Sequence, residues 1–453
     1  MSDARGPLQA IVDAAERGAV IQLAPGTYQG PVVISKPITL DGGGKATIDG
    51  GGKGTVIDVK GSGVTLQSLR VVNSGDQHNT LDAGIRLEGD HNVVRDSTIE
   101  ECLFGIDLQQ ASDNIVRRNH ITSKTDLELG VKGDAIRLWY GSGNRLESNV
   151  IDGARDFVVW YSWSNTIVGN EVSHGRYGLH FMYAKANLVE NNTFTEDLVG
   201  INLMYSDGVV MRGNRIVHAL GPAGTGIGFK ESSNADVTGN EVLYNAIGLA
   251  FDISPFDPGT TIRVYGNKVA FNDVGVAFLS DRPGNIFKDN VFLSNSQPVV
   301  MRVFQSAAST EWEGNYWDDY EGFDRDHDGF GDAPFVIRSY ADRLWMDVPP
   351  AAFFRGSPAL ATLDLVERLA PFTDPLELLH DKKPRMSREF VAMTPDKDQG
   401  LVAKQAAASA ADAAENGAAL EGQGPGGNAA VPEATQRLDP FGLYKSDVGT
   451  LKK

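Results

Sequence analysis

Four carboxylates in one short loop offer the clearest chemistry in this chain. The run Asp324-Arg-Asp326-His-Asp328-Gly329-Phe-Gly331-Asp332 puts acids at positions 1, 3, 5 and 9, with glycine at position 6. Hard oxygens at alternate positions around a glycine turn converge on one cation, as in the first part of an EF-hand calcium loop. Phe335 stands where that loop carries its bidentate glutamate, so a bound Ca²⁺ would draw further ligands from elsewhere. The other reading is an acidic turn held by side chain–backbone hydrogen bonds. Calcium is favoured, because four closely spaced carboxylates repel one another without a cation. Its expected role is structural, pinning the end of the domain.

A second set is soft. Beyond Gly178, period-two alternation sends Leu179 and Phe181 inward and His180 and Met182 outward. Met204 falls in the Met182 column one repeat on, and Trp160 and Trp139 fall in it one and two repeats back. An exposed Trp, Trp, Met, Met stripe marks a contact surface. Two thioethers beside an imidazole, His180, Met182 and Met204, also suit Cu(I). The plainer alternative is that a loop or the tail covers this face and makes it ordinary core. Arg86, Asp107 and Arg137 share another outward column. They could serve a uronate-cleaving or epimerising site, but a salt-bridge ladder is the simpler reading. His78, His91, His120, His174, His218, His327 and His380 show no paired ligand spacing, and Cys102, the one cysteine, is expected as a small core residue.

What positions these groups is a repeat. Ten times between residues 94 and 317 the chain reads apolar, two residues, Asn, one residue, apolar. The Asn slots are Asn119, Asn149, Asn170, Asn192, Asn214, Asn240, Asn267, Asn290 and Asn315, with Ser97 in the first copy. A period in the twenties means stacked solenoid coils. A second run in many copies, such as Gly105-Ile-Asp-Leu or Gly200-Ile-Asn-Leu, alternates like a strand with one buried face. Short strands with Gly and Asn at corners predict an all-β, right-handed, single-stranded parallel β-helix of the pectin-lyase-like kind, with short helical caps. The recurring Asn is expected to tolerate left-handed corner geometry and to stack as an amide ladder.

The spacing predicts a capping helix over 7–17 and an entry strand within 1–30, the β-helix over 31–318, and a cap over 319–390 holding the acidic loop and a helix near 358–370. An Ala/Gly-rich disordered tail is predicted over 391–453. Longer coils at 123–133, 219–224 and 254–259 are candidate contact loops. A formal net charge of −18 without a basic cluster disfavours nucleic acid as a partner. No segment reaches 18 consecutive apolar residues, so no membrane-spanning segment is expected. Met1-Ser-Asp-Ala-Arg leads straight into the first helix, and no signal peptide is visible.

Asn315-Tyr-Trp-Asp-Asp-Tyr320, followed by the acidic loop and Pro334-Phe335, closely resembles the signature that ends the β-helix of NosD-type nitrous oxide reductase maturation proteins. Tyr177-Gly-Leu-His-Phe-Met-Tyr183, Asp342-Arg-Leu-Trp345 and the segment 357–371 are similar to that family as well. The resemblance spans about residues 20–380. It implies a periplasmic accessory protein that is not an enzyme. Such a protein acts with the membrane and ATPase subunits of an ABC transporter and with a copper chaperone lipoprotein, and it supports copper-site assembly in nitrous oxide reductase. It strengthens the expectation that His180, Met182 and Met204 handle copper. The rival expectation is a carbohydrate-active β-helix enzyme, a uronate lyase or epimerase.

Overall fold

The computed structural model describes residues 7–301, 309–339, 357–370 and 376–389. The tail expected at 391–453 and the block Asp342–Trp345 lie outside the described residues. Successive copies of the repeat stack as coils of a parallel β-helix. One sheet of 12 strands collects the Gly-led strands, and a second of 26 strands collects the paired strands on either side of each Asn corner. Pairing between coils is parallel, as between Tyr177–Met182 and Val199–Met204.

Alternation explains the core. Ile121, Ile151, Val172, Phe194, Ile216 and Val242 pair in one inward column, all of them buried. Each such side chain contributes roughly 1.5–3 kcal/mol by leaving water, but only when the next coil covers it. Towards the end of the stack the columns become aromatic. Phe287 stacks on Trp312 with ring centroids 4.1 Å apart, and Phe292 on Trp317 at 4.3 Å.

The Asn slots form the expected ladder. From Asn119 to Asn290, each backbone N–H and side-chain NH₂ donates to the Oδ1 of the next Asn. The left-handed residue, however, is not the Asn. It is the residue before it, from Arg118 and Ser148 to Asp289 and Gly314. That one residue turns the chain, and the turn aims the Asn amide inward. Shorter ladders run from Asn92 to Asn187 and from Asn245 to Asn295.

Both ends are closed. The first helix is Pro7–Ala14, shorter than expected, with Leu8 and Val12 in the core. Its Gln9 amide donates to the Val33 carbonyl at 3.0 Å and accepts the Val33 N–H at 2.8 Å, as a neighbouring strand would. At the far end the helix Pro358–Leu369 is present, but its Leu365 and Leu369 are exposed. An antiparallel pair, Phe335–Ser339 with Leu376–Asp381, covers the last coil instead, with Leu378 and Leu379 buried. Among the described residues no helix is long and apolar enough to cross a membrane.

Candidate functional site

Register across the 12-stranded sheet places the soft residues as the repeat implied. Trp139 pairs with Trp160, Trp160 with Met182, and Met182 with Met204. The column is half-buried, not the exposed stripe that alternation suggests. His180 departs further, because its side chain is completely buried. The reason is local. The strand Asp156–Trp160 pairs with Tyr177–Met182 through a bulge, with Asp156 opposite Tyr177 and Val158 opposite His180. The His180 ring therefore packs between Tyr177, centroid to centroid 4.5 Å, and the edge of Trp160 at 5.6 Å.

The two ring nitrogens of His180 have unlike surroundings. Nε2 lies 3.2 Å from Met204 Sδ. Nδ1 has no hydrogen-bond partner and lies 4.0 Å from Asp156 Oδ2. Burial pulls the imidazole down to about 4, against the opposing pull of Asp156 and with help from Arg176 and Arg155. At neutral pH His180 is uncharged and keeps a lone pair, the form that binds metal. An uncharged imidazole nitrogen beside the Met204 thioether of the adjacent coil, with a second thioether, Met182, on the strand of His180 itself and in register with Met204, can take a soft monovalent cation.

Asp156, Arg176 and Tyr177 complete this site, and the repeat arithmetic missed them. Arg176 grips Asp156 with two prongs, Nε on Oδ1 at 2.9 Å and Nη2 on Oδ2. The Tyr177 N–H adds a bond to Asp156 Oδ1 at 3.3 Å. The bulge hides the pairing, since an even period-two count cannot place Asp156 beside His180. A second omission was readable. Each column residue is followed by tyrosine: Tyr140, Tyr161, Tyr183 and Tyr205. These rings stack at 4.9, 5.1 and 4.8 Å and line the same edge.

Arg86, Asp107 and Arg137 pair in register as an ion-pair ladder. Asp107 accepts Arg137 Nη1 at 3.1 Å and Gln109 Nε2 at 2.7 Å, with Arg86 Nε at 3.4 Å. One further buried acid stands out. Asp197 occupies a slot filled by Asn in later coils: its Oδ1 accepts Gly175 N–H at 2.7 Å, as Asn245 Oδ1 accepts Ala219 N–H at 2.8 Å. Its Oδ2 has no partner, and burial pushes the carboxyl up to about 7. A Cβ on Gly178 would lie 2.5 Å from that oxygen, so the glycine leaves room for the acid. Cys102 is buried with its thiol pushed up to about 12, a core residue as expected.

In the acidic loop, oxygens of Asp324, Asp326 and Asp328 lie within 4.8 Å of one another. Asp332 is turned to the Arg325 N–H at 2.9 Å, and Asp324 accepts N–H groups from Asp328 and Gly329. Three of the four expected carboxylates thus share one locus. The fourth braces the loop.

Residues 122–322 match the model of a family described as periplasmic copper-binding protein (NosD), and residues 45–151 match that of the right-handed β-helix region. Over 389 residues the chain is 28% identical to the probable ABC transporter binding protein NosD of Pseudomonas aeruginosa, covering 77% of this chain and 84% of that one. A 91-residue stretch is 34% identical to the protein of the same name from Stutzerimonas stutzeri, covering 19% of this chain and 20% of that one. Among solved structures, the A-module of mannuronan C-5 epimerase AlgE6 from Azotobacter vinelandii matches with a TM-score of 0.55. It covers 68% of this chain and 93% of that one at 15% identity, a likeness of fold alone. His180, Met182 and Met204 fall inside the stretch that matches NosD, and the acidic loop begins just past it.

Proposed function

Taking the NosD-like β-helix as the premise, we propose that this chain is a periplasmic accessory scaffold that receives Cu(I) at His180, Met182 and Met204 during maturation of nitrous oxide reductase. The observation that carries the reading is the 3.2 Å approach of His180 Nε2 to Met204 Sδ, inside the NosD-matching stretch. Copper here is cargo. An uncharged imidazole and thioethers hold Cu(I) without a charged ligand, which suits transfer onward to a thiolate- or imidazole-rich client. The half-buried Trp139, Trp160, Met182 and Met204 column and the tyrosine stack beside it form the face on which a copper chaperone lipoprotein, or the reductase, would dock. The coil insertions at 123–133, 219–224 and 254–259 are the proposed contacts for the membrane and ATPase subunits of an ABC transporter. Calcium at Asp324, Asp326 and Asp328 would serve the terminal coil structurally.

The test is Cu(I) titration against a competing chromogenic chelator. Wild type is expected to withdraw one equivalent, and Met182→Ala/Met204→Ala to lose at least tenfold in affinity. Equal affinity removes these residues from the reading. A panel of uronate polymers addresses the enzyme alternative, since an unsaturated product absorbing in the ultraviolet would replace the scaffold reading with a lyase.

A further inference from the structure

The copper reading leaves one group beside His180 without a role, and the following rests on that reading. We propose that Asp156 is the positioning residue of the site: it holds the His180 Nδ1–H, so that Nε2 presents its lone pair to the metal beside Met204 Sδ.

An uncharged imidazole has one N–H. Across His180 stand two acceptors, Met204 Sδ at 3.2 Å from Nε2 and Asp156 Oδ2 at 4.0 Å from Nδ1. With the hydrogen on Nε2, it meets a weak sulfur acceptor, and the Nδ1 lone pair faces a carboxylate, with no protein donor paired to it. With the hydrogen on Nδ1, it points to the carboxylate and needs only a small closing to bond it, but two lone pairs, on Nε2 and Sδ, face each other. Either tautomer leaves one mismatch. A monovalent cation between Nε2 and Sδ removes it, because the hydrogen then belongs on Nδ1 and both soft donors have an acceptor. Metal-bound histidines generally donate their second N–H to a carboxylate or carbonyl, which fixes ring orientation and tautomer.

The surroundings fit this role. Asp156 is fully buried and held by the two prongs of Arg176 and by the Tyr177 N–H, so its carboxylate cannot swing away. Trp160 and Tyr177 confine the His180 ring to small tilts. A closing of roughly 1 Å between Nδ1 and Oδ2 makes a hydrogen bond. No other side chain is paired with Nδ1.

Two measurements decide it. Cu(I) affinity is compared for wild type, Asp156→Asn and Met204→Ala, and the ring tautomer of His180 is read from ¹⁵N shifts of ¹⁵N-histidine-labelled wild type with Cu(I) added. The expected result is a 10- to 100-fold loss in Asp156→Asn, with Nδ1 protonated and Nε2 shifted in the loaded wild type. If wild type binds, Met204→Ala is weakened and Asp156→Asn binds like wild type, the positioning role is overturned while the copper reading stands. If Asp156→Asn does not fold, the wild-type spectrum still decides, because a hydrogen on Nε2 in the loaded protein overturns the proposal. If wild type takes up no Cu(I), the copper reading falls and this inference falls with it.

Discussion

Asp381 ends the long amide ladder by taking both the side-chain and the main-chain N–H of Asn315, at 2.9 and 3.0 Å. The same carboxylate accepts Trp317 Nε1 at 3.1 Å and the N–H groups of Gly314 and Lys383 at 3.2 Å each. An Asn here would need a further acceptor for its own NH₂. An acid needs none, so the series stops where donors can stop.

Asp381→Ala leaves several buried donors bare and should cost about 3 kcal/mol. Asp381→Asn keeps one acceptor but points an NH₂ at donors, and is expected to fall between wild type and Ala. Urea midpoints at constant slope measure both. An Asn variant as stable as wild type would show that the charge is dispensable.

Within the ladder, Asn192 accepts from Asn170 and donates to Asn214 and to the Ile167 and Glu190 carbonyls. Asn192→Ala is expected to cost roughly 2–3 kcal/mol. Asn192→Asp sets a buried oxygen against three other acceptors and should cost more at pH 8 than at pH 5. Equilibrium unfolding at the two values checks the order.

Asp197 gives a pH prediction. Its folded carboxyl titrates near 7, well above the ordinary 3.8, because burial disfavours the anion. The folded state therefore holds this proton more tightly than the unfolded chain. That stability is fully present below about pH 4 and is lost as pH rises through 7, on the order of 2–4 kcal/mol. Buried His180 slopes the other way: with its folded value down at about 4, it contributes stability above pH 6.5 that is lost as pH falls. Asp197→Asn restores the residue found in the later coils, so it should leave acid stability nearly unchanged and raise stability at pH 8. A variant with the wild-type pH slope would refute the assignment.

Calcium is expected to raise the melting temperature of the wild type, and Asp324→Asn/Asp328→Asn should abolish the response. A flat thermal titration would assign the loop to its own hydrogen bonds, which already tie Asp324 to Asp328 and Gly329.

How much of this was legible in the sequence follows from which interactions are periodic. The Asn slots, the inward Ile121-to-Val242 column and the Trp139-to-Met204 column repeat with the coils, so spacing alone located them. The contact of Asp156 with His180 arises at a bulge and breaks the count. The burial of His180 comes from two rings in different positions of the repeat, Trp160 and Tyr177, which no one-dimensional alternation brings together. The left-handed residue was misplaced by one, because sequence composition marks the Asn while the backbone needs only its predecessor to turn. The final strand Leu376–Asp381 lies far along the chain from the coil it covers and shares none of its repeat.

The Gln9 amide against Val33 has a consequence for assembly. A stack of parallel strands is a template on which another copy could add its own first coil, and then another, into a fibre. One glutamine side chain already supplies the donor and acceptor that an incoming strand would bring. At Val33 an incoming strand would find both hydrogen-bond partners already taken by the molecule itself, which disfavours growth along that strand.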